Sequence, residues 1–288
     1  MQTLSSADGN GGAPPREYEL GDEEFRFLAS VLSRETGIVL SEHKRQMVCG
    51  RLVKRLRALG LASFGAYCRL LGGPGGGEEI EHLVNAITTN ITHVFREPHH
   101  FRHLKEMLAA RMAEPSRPRR LRLWSAGCSS GEEPYSLAMV LADVLKGGGD
   151  WDALILATDI DTNMLARGRE GIYPAAIAAD VPEGYRTRFL RRAAHAPDKV
   201  RMAEEIRSLI RFKYLNLQGP WPMKGPFDAI FCRNVVIYFD KATQRGLFGR
   251  FADMLDLGGY LYLGHAESLI GVSDRFEVAD KTVYRRIR

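Results

Sequence analysis

The pattern of apolar and polar positions changes character partway along the chain. Over about the first hundred residues apolar side chains recur every three or four positions, as in Phe25, Leu28, Val31 and Leu32, which is typical of amphipathic helices. Beyond residue 120, short apolar runs alternate with helical patterns. This order predicts an all-α N-terminal domain followed by a doubly wound α/β domain, which is a Rossmann-like arrangement.

The elements predicted for the second part are short. The predicted strands are Leu121–Ser125, Leu154–Thr158, Ile210–Leu215, Asp228–Cys232 and Tyr260–Leu263. The predicted helices are Pro134–Leu145, Asn163–Arg169 and Lys241–Leu257. A final hairpin of Phe276–Asp280 and Thr282–Ile287 suits an edge of the same sheet. The span of about 180–210 is too long for a simple crossover and predicts a small β insertion, or β subdomain.

Composition sets the predicted boundaries. Residues 1–16 are rich in Ser, Gly, Asn and Pro, so we expect a disordered tail. The helical domain is predicted at 17–107, and the α/β domain at 121–288. Residues 108–120 contain two prolines among polar residues and are interpreted as a linker between the domains.

A glycine-containing loop at residues 127–133 follows the first strand and opens a helix. Such a loop at the carboxyl end of a parallel sheet predicts a nucleotide crevice. The G-x-G-x-x-G spacing of dinucleotide sites is absent, and Glu132 and Glu133 would repel phosphate. They favour an adenosine ligand with positive charge and no phosphate, such as S-adenosylmethionine. The alternative is that the two acids only stabilise the first turn of a helix.

The second strand ends in an acid. Asp159 occupies the position from which a carboxylate accepts hydrogen bonds from ribose hydroxyls. Asp161 directly precedes the next predicted helix, so we interpret it as an N-cap.

Basic residues without intervening acids follow Glu42. Lys44, Arg51, Lys54 and Arg55 lie in one predicted helix, and several share a face. They form either a solvated face or a contact for an acidic protein surface. The formal charge of +5 does not by itself imply nucleic acid.

The four cysteines show neither close pairing nor metal-ligand spacing, which indicates a reduced compartment. No signal peptide and no apolar stretch of membrane-spanning length is visible, so we expect a cytoplasmic protein without membrane insertion.

Many motifs occur in the order found in one enzyme family. They are Thr88–Glu97 with Pro98–Phe101, Trp124–Ser136, Ala157–Asp161, Gly171–Tyr173, Asn216–Leu217, Phe227–Phe239 and Gly264–Ser268. Through them the chain resembles the CheR-type chemotaxis receptor methyltransferases over nearly its whole length. The resemblance implies S-adenosylmethionine-dependent methylation of glutamate side chains on chemoreceptors, which sets receptor adaptation.

The resemblance also implies site residues and partners. It places the cofactor against Asn90, Thr92, Arg96, Glu133, Asp159, Asn216, Leu217, Arg233 and Asn234. It implies catalytic roles for Arg96, which would clamp the cofactor carboxylate, and for Tyr238, which would lie near the transferring methyl group. The expected partner is the cytoplasmic helical bundle of a receptor. A receptor C-terminal peptide at the β subdomain is left open, and the enzyme is expected to be monomeric.

Other interpretations of the sequence remain. A methyltransferase acting on RNA or a small molecule would share the fold, but Arg233–Tyr238 replaces the loop typical of base methylation. A non-catalytic adaptor would not need the cofactor residues. His99 and His103 are spaced i, i+4 but lack a third ligand, so we expect packing or capping by His99, His100 and His103 rather than metal binding. His265 and Glu267 either line the crevice mouth or cap a turn.

Overall fold

The computed structural model describes residues 18–194 and 196–288, so the predicted tail at 1–16 lies outside the described residues. The chain divides into two compact units. The first contains the described residues up to Val31 together with Leu40–Ile87. The second contains Leu32–Val39 together with Thr88–Arg288.

The first unit is helical, as its sequence periodicity predicts. Its helices are α1 (Asp22–Thr36, whose last turns belong to the second unit), α2 (Arg45–Ala58), α3 (Phe64–Gly72) and α4 (Gly76–Ile87). Leu28, Val48, Leu52 and Leu83 are fully buried, so three of these helices bury their repeating apolar positions. A 3₁₀ turn at Glu42–Lys44 precedes α2.

An ion pair joins two helices of this unit. The Arg55 guanidinium donates to both carboxylate oxygens of Glu79, at 2.9 Å from Nε to Oε1 and 2.6 Å from Nη2 to Oε2. The Tyr67 hydroxyl donates to the same carboxylate at 2.8 Å. The Glu79 side chain is only 6% exposed, so the guanidinium is needed to offset burial of its charge.

The second unit is built on a twisted seven-stranded sheet. Its strands are β1 (Arg120–Ala126), β2 (Asp152–Asp159), β6 (Ile210–Tyr214), β7 (Phe227–Cys232), β8 (Leu255–Leu263), β9 (Phe276–Asp280) and β10 (Val283–Arg286). Helices α5 (Pro98–Met112), α6 (Glu132–Leu145), α7 (Thr162–Glu170) and α10 (Lys241–Met254) belong to the same unit. The order β6-β2-β1-β7-β8-β10-β9 is parallel except at β10, which is antiparallel to both neighbours. The predicted fold class is confirmed.

Alternate residues of β1 pack into hydrophobic cores on opposite faces of the sheet. Leu121 and Leu123 lie in one buried cluster, whereas Trp124 and Ala126 lie in the other. The chain winds outward from β1 in both directions, towards β2 on one side and β7 on the other. The carboxyl ends of β1 and β7 therefore flank the topological switch point, where open α/β sheets bind ligands.

The predicted β insertion is a separate three-stranded antiparallel sheet. It has the order β3-β5-β4, with β3 at Ile172–Pro174, β4 at Leu190–Ala193 and β5 at Ala196–Met202. Helix α8 (Glu183–Phe189) precedes β4, and the one-turn helix α9 (Glu204–Arg207) follows β5. The insertion thus begins earlier than residue 180.

Two predicted bounds differ from the structure. Helix α5 packs Phe101, Leu104 and Leu108 into the same buried cluster as Leu121, so it belongs to the sheet unit. The division therefore follows residue 87, not residue 107, and residues 113–119 connect two elements of one unit. The last predicted helix ends at Met254, because its final residues are the first of β8. No helix in the described ranges is long and apolar enough to cross a membrane.

Replacing Glu79 by Gln should destabilise the first unit by about 2 kcal/mol, because the half-buried Arg55 charge loses its partner. Urea unfolding followed by circular dichroism measures the change. Exposed Glu78 is adjacent, and Glu78→Gln is the matched control with little expected effect. Equal stability of the two variants would show that the Arg55–Glu79 pair contributes nothing net.

Candidate functional site

The loops that follow β1 and β7 approach each other at the switch point. Gly127 has φ +85°, and a Cβ there would lie 2.4 Å from Cγ2 of Val235. Only glycine permits both this left-handed backbone and this contact. The glycine of the post-β1 loop is thus required by the neighbouring loop as well as by the turn itself.

The post-β1 loop is held by the end of β2. The main-chain N–H groups of Gly127 and Cys128 donate to the Thr158 carbonyl at 2.8 and 2.9 Å. The Ser129 N–H donates to Oδ2 of Asp159 at 2.7 Å, and the Asp161 N–H donates to its Oδ1 at 2.8 Å. Asp159 therefore shapes the loop, and its remaining lone pairs are those that a ribose could use.

Burial makes the carboxyl group of Asp159 a weaker acid than usual. The residue is 8% exposed, and burial raises the pKa of its carboxyl to about 6 in spite of hydrogen bonds from main-chain N–H groups. Burial also raises the pKa of Glu132, which accepts a hydrogen bond from Ser130 Oγ at 2.7 Å. These two predicted acids thus lie close to the post-β1 loop, and α6 begins at Glu132.

A buried guanidinium, that of Arg233, joins three segments of the site. Its Nη1 lies 3.1 Å from Oε2 of Glu133 at the start of α6, and its Nη2 lies 3.2 Å from Oε2 of Glu97. Nη2 also donates to the carbonyl oxygen of Arg96. Ser125 Oγ donates to the other oxygen of Glu133 at 2.6 Å. The Arg233 side chain is 2% exposed, so these contacts offset part of its lost hydration, and its Nε is buried without a hydrogen-bond partner.

The segment before α5 is tied to the end of β2. Asn90 Nδ2 donates to Oδ2 of Asp161 at 2.7 Å, and Thr88 Oγ1 donates to the same oxygen at 2.7 Å. Asp161 Oδ1 accepts from the first N–H groups of α7, which confirms the predicted N-cap. Thr92 is half-buried in the same segment, and Arg96 Nη1 donates to the Ile91 carbonyl at 3.1 Å.

The loop after β6 is covered by the end of α1. Asn216 Nδ2 donates to the Glu35 carbonyl at 2.6 Å, and Asn216 Oδ1 accepts from the Gln218 N–H at 2.9 Å. Leu217 is buried, and its carbonyl accepts from the side chain of Arg250 at 2.7 Å. Both the nitrogen and the oxygen of the Asn216 side-chain amide are therefore hydrogen-bonded to main-chain groups of the same unit.

The turn after β7 carries Asn234 and Tyr238. Asn234 has φ +59°, a left-handed conformation that asparagine tolerates better than most residues. The Tyr238 carbonyl accepts from the Val39 N–H at 2.9 Å, and its side chain is half-buried. Glu267 accepts hydrogen bonds from this turn, so the predicted alternative of a turn cap is correct for that residue.

Glu97 is a site residue that the sequence reasoning missed. It lies at φ +58° before α5 and pairs with Arg233 and, through Oε1, with Nδ1 of His265 at 3.1 Å. Burial opposes its ionisation, but the two neighbouring bases hold the pKa of its carboxyl below the usual value. An arginine at the end of a buried strand needs a carboxylate partner, and this requirement is the signal that could have found it.

The three histidines of α5 pack as the sequence predicts. His99 contacts the Lys281 carbonyl at 3.0 Å, and His100 contacts Oγ1 of Thr282 at 2.8 Å. His103 contacts the Tyr262 hydroxyl at 2.8 Å. Burial and the nearby Arg233 charge lower the pKa of His100 to about 3, so its ring is neutral. The described residues contain no group of three side chains suited to hold a metal ion.

The four predicted substrate-binding basic residues all lie in the first unit. Lys44 falls in the 3₁₀ turn before α2, and exposed Lys54 lies on α2. Arg51 Nη1 donates to the Ile87 carbonyl at 2.6 Å. Arg55 forms the ion pair with Glu79, an acid that comes from another helix and not from the same stretch of sequence.

Two family models match the chain over adjoining ranges. The model described as CheR methyltransferase, SAM binding domain, matches residues 90–285, and the one described as CheR methyltransferase, all-alpha domain, matches residues 23–88. The chain belongs to the CheR methyltransferase family. The two models meet where the two compact units divide. The second unit is therefore the S-adenosylmethionine-binding domain of a methyltransferase.

Curated relatives extend over nearly the whole chain. The chain is 41% identical to the chemotaxis protein methyltransferase of Salmonella typhimurium, over 92% of this chain and 90% of the relative. It is 41% identical to that of Escherichia coli, over 92% and 91%, and 42% identical to chemotaxis protein methyltransferase 2 of Pseudomonas aeruginosa, over 93% and 95%. Among solved structures, the chain is similar to the glycopeptide N-methyltransferase MtfA complexed with S-adenosylmethionine. The alignment covers 70% of this chain and 72% of the MtfA chain, with a TM-score of 0.34 and 16% identity. This likeness is too weak to bear on the site.

The switch-point loops fit S-adenosylmethionine. Glu132 and Asp159 put acidic groups around a loop whose glycines allow close main-chain approach. Carboxylates attract the positive sulfonium and ammonium groups of this cofactor and repel the pyrophosphate of a dinucleotide. The cofactor supplies an electrophilic methyl group when bound.

If the Asp159 carboxylate accepts the ribose hydroxyls, affinity for S-adenosylmethionine should fall by up to about tenfold per pH unit below pH 6, where this group gains a proton. Asp159→Asn should weaken binding by about 2 kcal/mol and remove this pH dependence. Calorimetry between pH 5 and 8 measures both effects. Asp152→Asn, at the opposite end of β2, is the control.

Protonation of Asp159 does not unfold the protein, so acid unfolding through this group cannot account for a loss of affinity below pH 6. Burial raises the folded-state pKa of this group above its unfolded value, so the stability linked to its protonation is fully present below about pH 4 and lost as the pH rises through 6. An Asp159→Asn variant that keeps the parent's affinity and pH profile would show that another group binds the ribose.

Proposed function

We propose that the chain transfers the methyl group of S-adenosylmethionine to glutamate side chains on the cytoplasmic helical bundle of chemoreceptors, and that it acts in the cytoplasm as a monomer. The observation that carries the proposal is the 41% identity to chemotaxis protein methyltransferases over about nine tenths of both chains. Both units of the chain take part in this similarity, which favours a shared substrate class as well as a shared cofactor.

A glutamate substrate suits the chemistry of the site. A carboxylate is already ionised at neutral pH, so its oxygen can attack the methyl carbon without a general base. The C–O bond forms as the C–S bond breaks, the electron pair goes to sulfur, and no proton moves. Around the switch point, Glu97 and Glu133 are paired with Arg233 and Glu267 caps a turn, so these acids have structural partners. Rate enhancement then comes from alignment and exclusion of water.

We propose that nine residues of the second unit form the binding site for the cofactor: Asn90, Thr92, Arg96, Glu133, Asp159, Asn216, Leu217, Arg233 and Asn234. In this assignment the Arg96 fork holds the cofactor carboxylate, because a guanidinium binds a carboxylate bidentately. Tyr238 orients one oxygen of the substrate carboxylate while the other attacks. Arg233 and Glu133 contribute mainly by fixing the loops that they join.

We infer that Lys44, Arg51 and Lys54 recruit the acidic surface of the receptor bundle. Lys54 is exposed, and exposed charges act chiefly by speeding encounter, so its effect depends on ionic strength. Arg55 is excluded from this role in its folded state, because its guanidinium is held by Glu79.

Incubation of the purified protein with labelled S-adenosylmethionine and a receptor cytoplasmic domain should yield a base-labile methyl ester. Peptide mapping should locate it on glutamate, and Glu→Gln changes at the mapped positions should abolish labelling. Transfer to RNA or to a small molecule instead, or cofactor binding without transfer to any receptor domain, would contradict the proposed substrate.

Charge reversal at Lys54 tests recruitment. Lys54→Glu should lower the rate of receptor methylation at low salt by a factor of about 3–10 and leave cofactor affinity unchanged, because exposed charges steer association. Arg26→Glu, an exposed basic residue on α1, is the matched control. Equal rates for both variants from 20 to 300 mM salt would mean that the face around Lys54 is only solvated.

A further inference from the structure

Glu267 collects five main-chain N–H groups on one buried carboxylate. Its Oε1 accepts from Val235 at 2.9 Å, Val236 at 2.9 Å and Ile237 at 3.3 Å. Its Oε2 accepts from Asn234 at 2.9 Å and Gly264 at 2.7 Å. Four of the five donors are consecutive residues of the turn after β7.

The turn that these bonds hold is tightly packed. Asn234 adopts a left-handed φ of +59°. A Cβ on Gly264 would lie 2.7 Å from Asn234 Nδ2 and 2.9 Å from its main-chain nitrogen. A 3₁₀ turn begins at Val236 and ends at Tyr238, so the carboxylate lies at its N-terminal N–H groups. Little room is left for the turn to take another path.

The negative charge of Glu267 matters for this arrangement. The residue is 5% exposed, and its hydrogen-bond partners in the described chain are all main-chain N–H groups. A neutral amide of the same shape would replace one acceptor oxygen by an NH₂ group facing N–H donors. At least two of the five bonds would then be lost, and each buried donor left without an acceptor is costly.

We propose that Glu267 is a positioning residue for methyl transfer. Its carboxylate holds the turn from Asn234 to Tyr238 in place. Through that turn it positions the side chains of Asn234 and Tyr238 relative to the reacting groups. The inference rests on the proposed function, in which Asn234 contacts the cofactor and Tyr238 the substrate carboxylate. Glu267 itself acts through the turn and not by touching either molecule.

A positioning role differs from a merely structural cap in what it does to the reaction. Loss of a structural cap lowers the melting temperature and leaves turnover unchanged well below it. A displaced Tyr238 would instead lower kcat, since misplacement of a reacting group by about 1 Å can cost about 100-fold in rate. Cofactor affinity should change less, because most of the proposed cofactor contacts come from other loops.

The test compares Glu267→Gln, Glu267→Asp and Glu277→Gln. Glu277 lies on β9, about half exposed in an ion pair with Arg285, and is the matched control. We expect Glu267→Gln to lower kcat for receptor methylation by about 10- to 100-fold. The Kd for S-adenosylmethionine should rise by less than the loss in kcat. Glu267→Asp keeps the charge on a shorter side chain and should recover part of the rate, and Glu277→Gln should match the parent.

Hydrogen exchange provides a readout independent of receptor methylation. In Glu267→Gln the amides of Val235, Val236 and Ile237 should exchange faster than in the parent, while those of β1 stay protected. Parent-like kcat at a temperature where the variant is folded, or parent-like exchange of these amides, would overturn the proposal. If Glu267→Gln does not fold, the same two measurements on Glu267→Asp decide it. A parent that binds cofactor but methylates no receptor contradicts the proposed function alone, and the exchange comparison still tests whether Glu267 holds the turn.

Discussion

The site depends on one buried positive charge. Arg233 leaves the end of β7 with its guanidinium 2% exposed, and it reaches the start of α6, the segment before α5 and the carbonyl of Arg96. A guanidinium does not lose its proton at any physiological pH, so its burial has to be offset by carboxylates. Glu97 and Glu133 do this, and each therefore has a fixed place relative to β7.

The buried acids around Arg233 and the crevice loops are stabilised in two different ways. Glu133 and Glu97 are neutralised by a side-chain cation, whereas Glu267 is solvated by main-chain N–H groups and Asp159 by two such groups with burial still dominant. The first arrangement links segments that are distant in sequence. The second fixes the path of a single turn or loop. Together they add electrostatic contacts to the crevice loops, which also place Cys128 and Val236 in the two apolar cores.

The sequence predicts most of the fold because its local patterns agree with it. The apolar runs identify the strands, and the family motifs identify which loops meet. It fails where a contact is remote in sequence. Helix α5 has an ordinary amphipathic pattern, which does not say that its partner is the sheet, and Arg55 has no acid nearby in sequence although Glu79 is beside it in space. Residue types at the site were predictable, but their mutual pairing was not, because Arg233 and Glu133 are 100 residues apart.

Contacts between α5 and the β9–β10 hairpin have a consequence for the order of folding. His100 meets Thr282 across 182 residues, and the N–H of Leu263 donates to the carbonyl of Thr282. The helix that precedes β1 in the chain is thus completed by the last strands of the sheet. During synthesis α5 leaves the ribosome long before this hairpin exists, and such long-range contacts are slow to form. The hydrogen bonds of His99 and His100 can therefore form only after the β9–β10 turn has been made, so this edge of the unit is completed late in folding.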